Sequence, residues 1–138
     1  MSVVQNILIL SLTRMGDLIQ TTPLIQGLKK KYPNAKITLM ISSDFEDAVY
    51  LIPDVDDSII FNLRQFKEKD DWDDESWVKI YRYIESMLND IRSKSFDMLV
   101  NLSHSRFSAL MVYYLKVKNV IDNKGVLRFF KKIKKFIK

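Results

Sequence analysis

The stretch Asn6-Ile7-Leu8-Ile9-Leu10-Ser11-Leu12-Thr13-Arg14-Met15-Gly16-Asp17-Leu18-Ile19-Gln20-Thr21-Thr22-Pro23 decides the fold. Ile7 to Leu10 carry no polar alternation, so this strand needs cover on both faces, as in a parallel sheet. Thr22 and Pro23 read as the N-cap and first residue of a helix whose apolar positions Ile25, Leu28 and Tyr32 keep helical spacing. Gly16 and Asp17 fall in the loop between, at the carboxyl end of the strand, where the sites of open α/β sheets gather. Gly16 permits a backbone turn closed to other residues. Asp17 is then either a ligand-facing carboxylate or the cap of a short first turn, and the pattern leaves both open.

Outward from this stretch, strand and helix signals alternate. Apolar runs at Ile37 to Ile41, Ser58 to Phe61, Met98 to Leu102 and Val117 to Ile121 predict four more strands. Helical patterns lie at Thr22 to Lys31, Asp44 to Leu51, Glu75 to Ser93 and Ser105 to Leu115. The alternation implies βαβ crossovers and a parallel sheet. Pro53 and Asp54-Val55-Asp56-Asp57 mark the turn into the third strand. Trp77, Ile80, Ile84, Met87 and Ile91 predict a buried stripe on the longest helix. Five acids among Asp70-Asp71-Trp72-Asp73-Asp74-Glu75 lack the alternating ligands and central glycine of a calcium loop and suit the start of a helix instead.

The 138 residues suffice for one buried core, and 47% hydrophobic with 28% charged residues describes a globular chain. Zero cysteines exclude disulfides and thiolate metal sites, and one histidine disfavours structural zinc. Neither a leader peptide nor a membrane-spanning segment is expected, so the expected location is the cytoplasm. The net charge of +5 is unevenly spread: Lys124 to Lys138 holds seven basic residues and no acid, which leaves 15 basic against 17 acidic groups in residues 1–123. A folded part that is slightly acidic argues against specific nucleic-acid binding.

His104 follows an apolar strand and lies between Ser103 and Ser105, with Arg106 beside it. Such a loop can hold an anionic or hydroxylated ligand, since Ser and His offer hydrogen bonds and Arg a bidentate grip. The competing reading is a serine cap on the next helix with a local hydrogen bond from His104. At 100° per residue, Val126, Phe129, Phe130, Ile133, Phe136 and Ile137 fall on one arc of residues 124–138, and Arg128, Lys131, Lys132, Lys135 and Lys138 on the other. Phe129, Phe130, Lys131, Lys132, Lys135 and Phe136 are thus contact candidates. They suit either an anionic membrane surface, in a peripheral location, or docking on the sheet edge or a partner.

Two sets of residues carry a resemblance. The strand, the Met15-Gly16-Asp17 loop, Thr21-Thr22-Pro23-Leu24 and Tyr32-Pro33-Asn34-Ala35-Lys36-Ile37 resemble the N-terminus of glycosyltransferase family 9, the heptosyltransferases of lipopolysaccharide assembly. Phe96-Asp97-Met98-Leu99-Val100-Asn101-Leu102-Ser103-His104-Ser105-Arg106-Phe107-Ser108-Ala109-Leu110 is similar to the family's later strand and the acceptor-side loop after it. Two ordered matches are more specific than either alone.

The resemblance covers about residues 5 to 121. It implies a Rossmann-like three-layer parallel sheet over residues 1–123, equivalent to the N-terminal domain of a GT-B enzyme, with a basic amphipathic helix over 124–138. It further implies that Asp17 is the general base of an inverting transfer and that Arg14, Gly16, His104, Ser105 and Arg106 serve a glycan or glycolipid acceptor. No metal or other cofactor is implied. The family's C-terminal half, which holds the nucleotide-sugar, has no counterpart in the chain, so donor binding and turnover are expected only with a complementing C-terminal domain. The alternative from another class is a non-catalytic binding or scaffold module at a membrane or partner.

Overall fold

The computed structural model describes residues 4–12, 21–62, 74–103 and 106–122, and for Arg106 and Phe107 the backbone alone. Its elements run in the order β1 (Asn6–Ser11), α1 (Thr21–Lys31), β2 (Lys36–Ser42), a 3-10 segment (Ser43–Leu51), β3 (Asp57–Phe61), α2 (Asp74–Ser93), β4 (Met98–Asn101), α3 (Arg106–Leu115) and β5 (Asn119–Ile121). The five strands form one sheet in the order β3-β2-β1-β4-β5, and every pairing is parallel. β1 is central: Ile7 stands beside Ile37 of β2 on one side and Met98 of β4 on the other. The chain winds outward from β1 through β2 to β3, then returns to β1's other side for β4 and β5. The sheet therefore reverses direction between β1 and β4, and the carboxyl ends of those strands border its crevice.

The uninterrupted apolar run in β1 follows from cover on both faces. Ile7 and Ile9 pack with Leu24, Ile25 and Leu28 of α1, whereas Leu8 and Leu10 pack with Met87 and Ile91 of α2 and Met111 and Leu115 of α3. All four β1 residues are fully buried. Burying such a side chain contributes roughly 1.5–3 kcal/mol, so β1 supplies a large share of the core. Three layers result, helix on sheet on helix, as the alternating pattern predicts.

Two aspartates clamp the amino ends of the strands. Asp97 Oδ2 accepts the backbone N–H groups of Gln5 and Asn6, both at 2.8 Å, while its own N–H donates to the Asn6 carbonyl. Asp56 repeats the device one strand over: its Oδ2 accepts from Ile37 N at 2.8 Å and its N–H donates to the Ile37 carbonyl. Lys29 closes on Asp56 Oδ2 at 2.7 Å. Each carboxylate stands just before one strand and satisfies the first amides of the strand beside it, amides that a strand end otherwise leaves to water. Burial pushes the Asp56 carboxyl up, but the bonds from Lys29 and Ile37 and the charges of Lys29 and Lys36 outweigh it and hold the group below its ordinary value.

Several expectations need correction. The helix expected at Asp44 to Leu51 is a 3-10 segment broken at Phe45 (φ −121°, ψ 20°). Ser42 Oγ accepts from Asp44 N there, and Ala48 is its one buried residue, so little apolar packing drives a full helix. Helix α1 begins at Thr21 and not after Thr22, which places Pro23 in the first turn, where its missing N–H costs nothing. β4 stops at Asn101 and β5 starts at Asn119, later than Val117. The expected stripe on α2 is buried at Met87 and Ile91, yet Trp77 is 59% exposed. The acidic run before Asp74 lies outside the described residues, whereas Asp74 and Glu75 occupy the first turn of α2 as expected.

Candidate functional site

The ends of β1 and β4 are joined directly. Leu12 N donates to Ser103 Oγ at 2.8 Å and Leu102 N donates to the Leu10 carbonyl at 2.9 Å. Asn101 Oδ1 accepts from Ser103 N at 3.0 Å, and Ser108 Oγ donates to the Ser103 carbonyl at 3.3 Å. Ser103 and Ser108 are buried, as are Ser11 at the end of β1 and Thr21 at the start of α1. A hydroxyl can accept one bond and donate another, which lets Ser103 serve as a joint where two strands become loops. Leu12 and Ser103, so joined, are the described residues that immediately precede 13–20 and 104–105 in the sequence.

Similar joints hold the other carboxyl ends. Ser43 Oγ lies 3.3 Å from Asn62 Oδ1, linking the residues that follow β2 and β3, and Asn62 N donates to the Tyr83 hydroxyl at 2.9 Å. Tyr83 stacks on Phe61, with ring centroids 6.0 Å apart. The rim is thus built from hydroxyl, phenol and amide groups on rigid strand ends, a frame suited to holding loops in place.

Of the sequence-derived candidates, Arg14, Gly16, Asp17, His104 and Ser105 lie outside the described residues, and so do Phe129, Phe130, Lys131, Lys132, Lys135 and Phe136. Arg106 is described as the backbone start of α3. The described residues that precede the two candidate segments, Leu12 and Ser103, stand at adjacent strand ends. Sequence reasoning missed Asn101, Ser43 and Asn62, and it weighed Ser103 as a ligand-facing loop residue or a helix cap, not as a link to Leu12. Asn62 and Ser103 directly follow apolar runs, and Asn101 and Ser43 lie within two residues of a run's end, positions that could have singled them out. Among the described residues no group of three or more His, Asp or Glu side chains is placed to hold a metal ion.

The arrangement defines a class: a Rossmann-like α/β domain whose β1 and β4 carboxyl ends are joined where the strand order reverses. No family model matches the chain. It is 27% identical over 103 residues to lipopolysaccharide heptosyltransferase 3 of Escherichia coli, an alignment spanning 75% of this chain and 28% of that protein. The enzyme of the same name from strain K12 is 27% identical over 107 residues, 78% of this chain and 28% of that protein. Among solved structures, a glycosyl transferase family 9 protein from Veillonella parvula DSM 2008 superposes with a TM-score of 0.67 at 19% identity, covering 84% of this chain and 31% of that one. The ADP-heptose lipopolysaccharide heptosyltransferase II of E. coli gives a TM-score of 0.65 at 20% identity over 91% of this chain and 32% of that one. In sequence and in fold, the chain is therefore family 9 heptosyltransferase-like. It spans just over a quarter of the length of the curated relatives it matches.

Proposed function

We propose that this chain is the acceptor-binding part of an inverting glycosyltransferase that transfers a sugar, heptose by likeness to its relatives, from a nucleotide-sugar to a glycan or glycolipid. The observation that supports the reading is the Leu12–Ser103 bond, which joins the residues just before both candidate segments where the strand order reverses. In this reading the Asp17 carboxylate takes the proton of an acceptor hydroxyl. The freed oxygen electrons form a bond to the anomeric carbon, and the bond from that carbon to the nucleotide diphosphate breaks, the diphosphate leaving with the electron pair and the anomeric configuration inverting. A carboxylate within hydrogen-bond reach suits this step because it accepts the proton as the new bond forms. Gly16 allows close backbone approach, and Arg14, His104, Ser105 and Arg106 orient the acceptor through hydrogen bonds and charge.

Nucleotide-sugar binding is assigned to a complementing C-terminal domain, so the 138-residue chain alone should bind acceptor and transfer nothing. The test is titration of the chain with a heptose-bearing lipopolysaccharide core acceptor, followed by a transfer assay with and without a family 9 donor domain. Saturable acceptor binding that Arg106→Ala weakens, with transfer only after complementation and lost in Asp17→Asn, is the expected result. Transfer by the chain alone, or acceptor binding indifferent to both loops, would overturn the reading. Acceptor binding with no transfer under complementation would favour a binding module.

A further inference from the structure

We propose that the groove between the outer side of β3 and helix α2 is a binding site for a neutral saccharide. The backbone directions decide what that side of β3 offers. Lys36 N donates to the Gln5 carbonyl, so Ile37, Leu39 and Ile41 turn their amides toward β3, where the groups of Asp57, Ile59 and Phe61 meet them in the parallel ladder. Ser58, Ile60 and Asn62 therefore direct N–H and C=O to the other side. Two of these three amides are capped: Ser58 N donates to Asp57 Oδ1 at 2.8 Å and Asn62 N to the Tyr83 hydroxyl at 2.9 Å. Ile60, between them, has no such acceptor among the described residues. It lines a cavity of about 470 Å³, within the range of roughly 300–1,000 Å³ typical of small-molecule sites.

The lining names the ligand. Strand addition needs a row of free amides, and the Asp57 and Tyr83 caps leave one, so an extended peptide is refused. An anion is refused as well: Lys94, the one cation of the lining, already faces Asp57 at 3.9 Å, whereas the Asp90 carboxylate has no partner among the described residues. Ser86 stands one turn before Asp90 on α2, and both line the groove. Behind them Ile59, Met87 and Ile91 form an apolar wall. A sugar ring matches this set. Each of its hydroxyls both donates and accepts, so neighbouring ones give protons to Asp90 and to the Ser58 carbonyl and take those of Ile60 N–H and the Ser86 hydroxyl, while the C–H face of the ring rests on the wall. β2 separates this side of β3 from β1 and its joint to Ser103, so the saccharide site does not rest on the acceptor reading.

The test is titration of the full, isotope-labelled chain with lactose and with methyl α-D-mannopyranoside, followed through the backbone amide signals. At least one sugar should shift the Ile60 amide saturably. Asp90→Asn, at an exposed position, should weaken that binding about tenfold, the loss expected when a charge-assisted bond becomes a neutral one. Ser86→Tyr, which fills the groove from an equally exposed position, should abolish it. Inorganic phosphate and a blocked Val-Thr-Val tripeptide should leave the Ile60 signal in place. No shift at Ile60 with either sugar, equal affinity in Asp90→Asn, or shifts confined to Leu12 and Ser103 would each overturn the proposal, the last by putting the sugar at the joint of β1 and β4 alone. A larger response to phosphate or to the tripeptide than to the sugars would overturn it in favour of an anion site or of strand addition.

Discussion

The two ends of the sheet are held by different chemistry. At the amino ends, carboxylates bind backbone amides of neighbouring strands: Asp97 takes those of Gln5 and Asn6, and Asp56 that of Ile37. At the carboxyl ends the joints are neutral, built from Ser103, Asn101, Asn62 and the Tyr83 hydroxyl. Charge-assisted bonds are roughly twice as strong as neutral ones, so the amino edge is the more firmly fixed of the two, while the described joints of the carboxyl edge use hydroxyl, phenol and amide groups. Loop chemistry and frame stability should consequently separate under mutation.

The largest effect belongs to the loops. Asp17→Asn should lower transfer, measured with a complementing donor domain, by roughly 10²–10⁴ as expected for loss of a general base, while denaturation midpoints stay within about 0.5 kcal/mol of the parent. Asp97→Ala should do the reverse. It leaves two strand-start amides without their charged acceptor and should cost about 2–3 kcal/mol in urea unfolding, with Asp97→Asn recovering part of the loss. Equal stability of Asp97→Ala and parent would show that the amino-edge clamp is idle.

Ser103→Ala lies between these extremes because it touches both functions. It removes the acceptor of Leu12 N and should destabilise the fold by about 1 kcal/mol. It should also weaken acceptor binding, since the two loops lose their common joint. Ser103→Thr keeps the hydroxyl and should restore binding if the joint matters. A Ser103→Ala chain that loses stability yet binds acceptor like the parent would confine the residue to the frame.

Asp56 supplies the pH dependence. Its carboxyl is held below the ordinary value in the folded chain, so its contribution is complete above about pH 4 and is lost as pH falls through the lowered folded value. The side chain is 39% exposed, so solvent screening limits the pair with Lys29 to well under about 1 kcal/mol. Asp56→Asn keeps an oxygen for Ile37 N and removes the charge. It should flatten the part of the acid-unfolding curve that lies below pH 4 and leave stability at pH 7 only slightly lower, the small difference shrinking in high salt.

The fold was legible where burial acts on both faces of a strand. Ile7 to Leu10, Ile37 to Ile41 and Met98 to Val100 announce themselves because a covered strand is apolar on both faces, Thr38 being the one polar residue among them. The 3-10 segment was not legible, since Phe45, Ala48 and Val49 imitate helical spacing while Ser42 competes for the first turn. Exposure of Trp77 escaped for a related reason: periodicity gives the apolar face of α2 but not how far along the helix its neighbours reach. The candidate loops could be read from Gly16, Asp17 and His104 as positions in sequence. Their common joint could not, because the Leu12–Ser103 bond joins residues 91 apart through the pairing of β1 with β4.

The turns that lead into β3, β4 and β5 give the smallest effect and the last contrast between the two ends. Asp54, Ser95 and Lys116 hold left-handed backbone, with φ of 68°, 54° and 49°, at the amino edge of the sheet. Helix ends often place glycine in this conformation, yet the chain's three glycines, Gly16, Gly27 and Gly125, are all elsewhere. A side chain there costs roughly 1–2 kcal/mol in local strain, and glycine gives back about 0.5–1 kcal/mol of that through the greater freedom of the unfolded chain. Ser95→Gly should therefore raise stability by about 0.5 kcal/mol, read from the urea midpoint at constant slope. It should leave acceptor binding untouched, because Ser95 lies at the opposite end of β4 from Ser103. A loss of stability would mean that the Ser95 side chain makes a compensating contact, and a change in acceptor binding would mean that the two edges of the sheet are coupled.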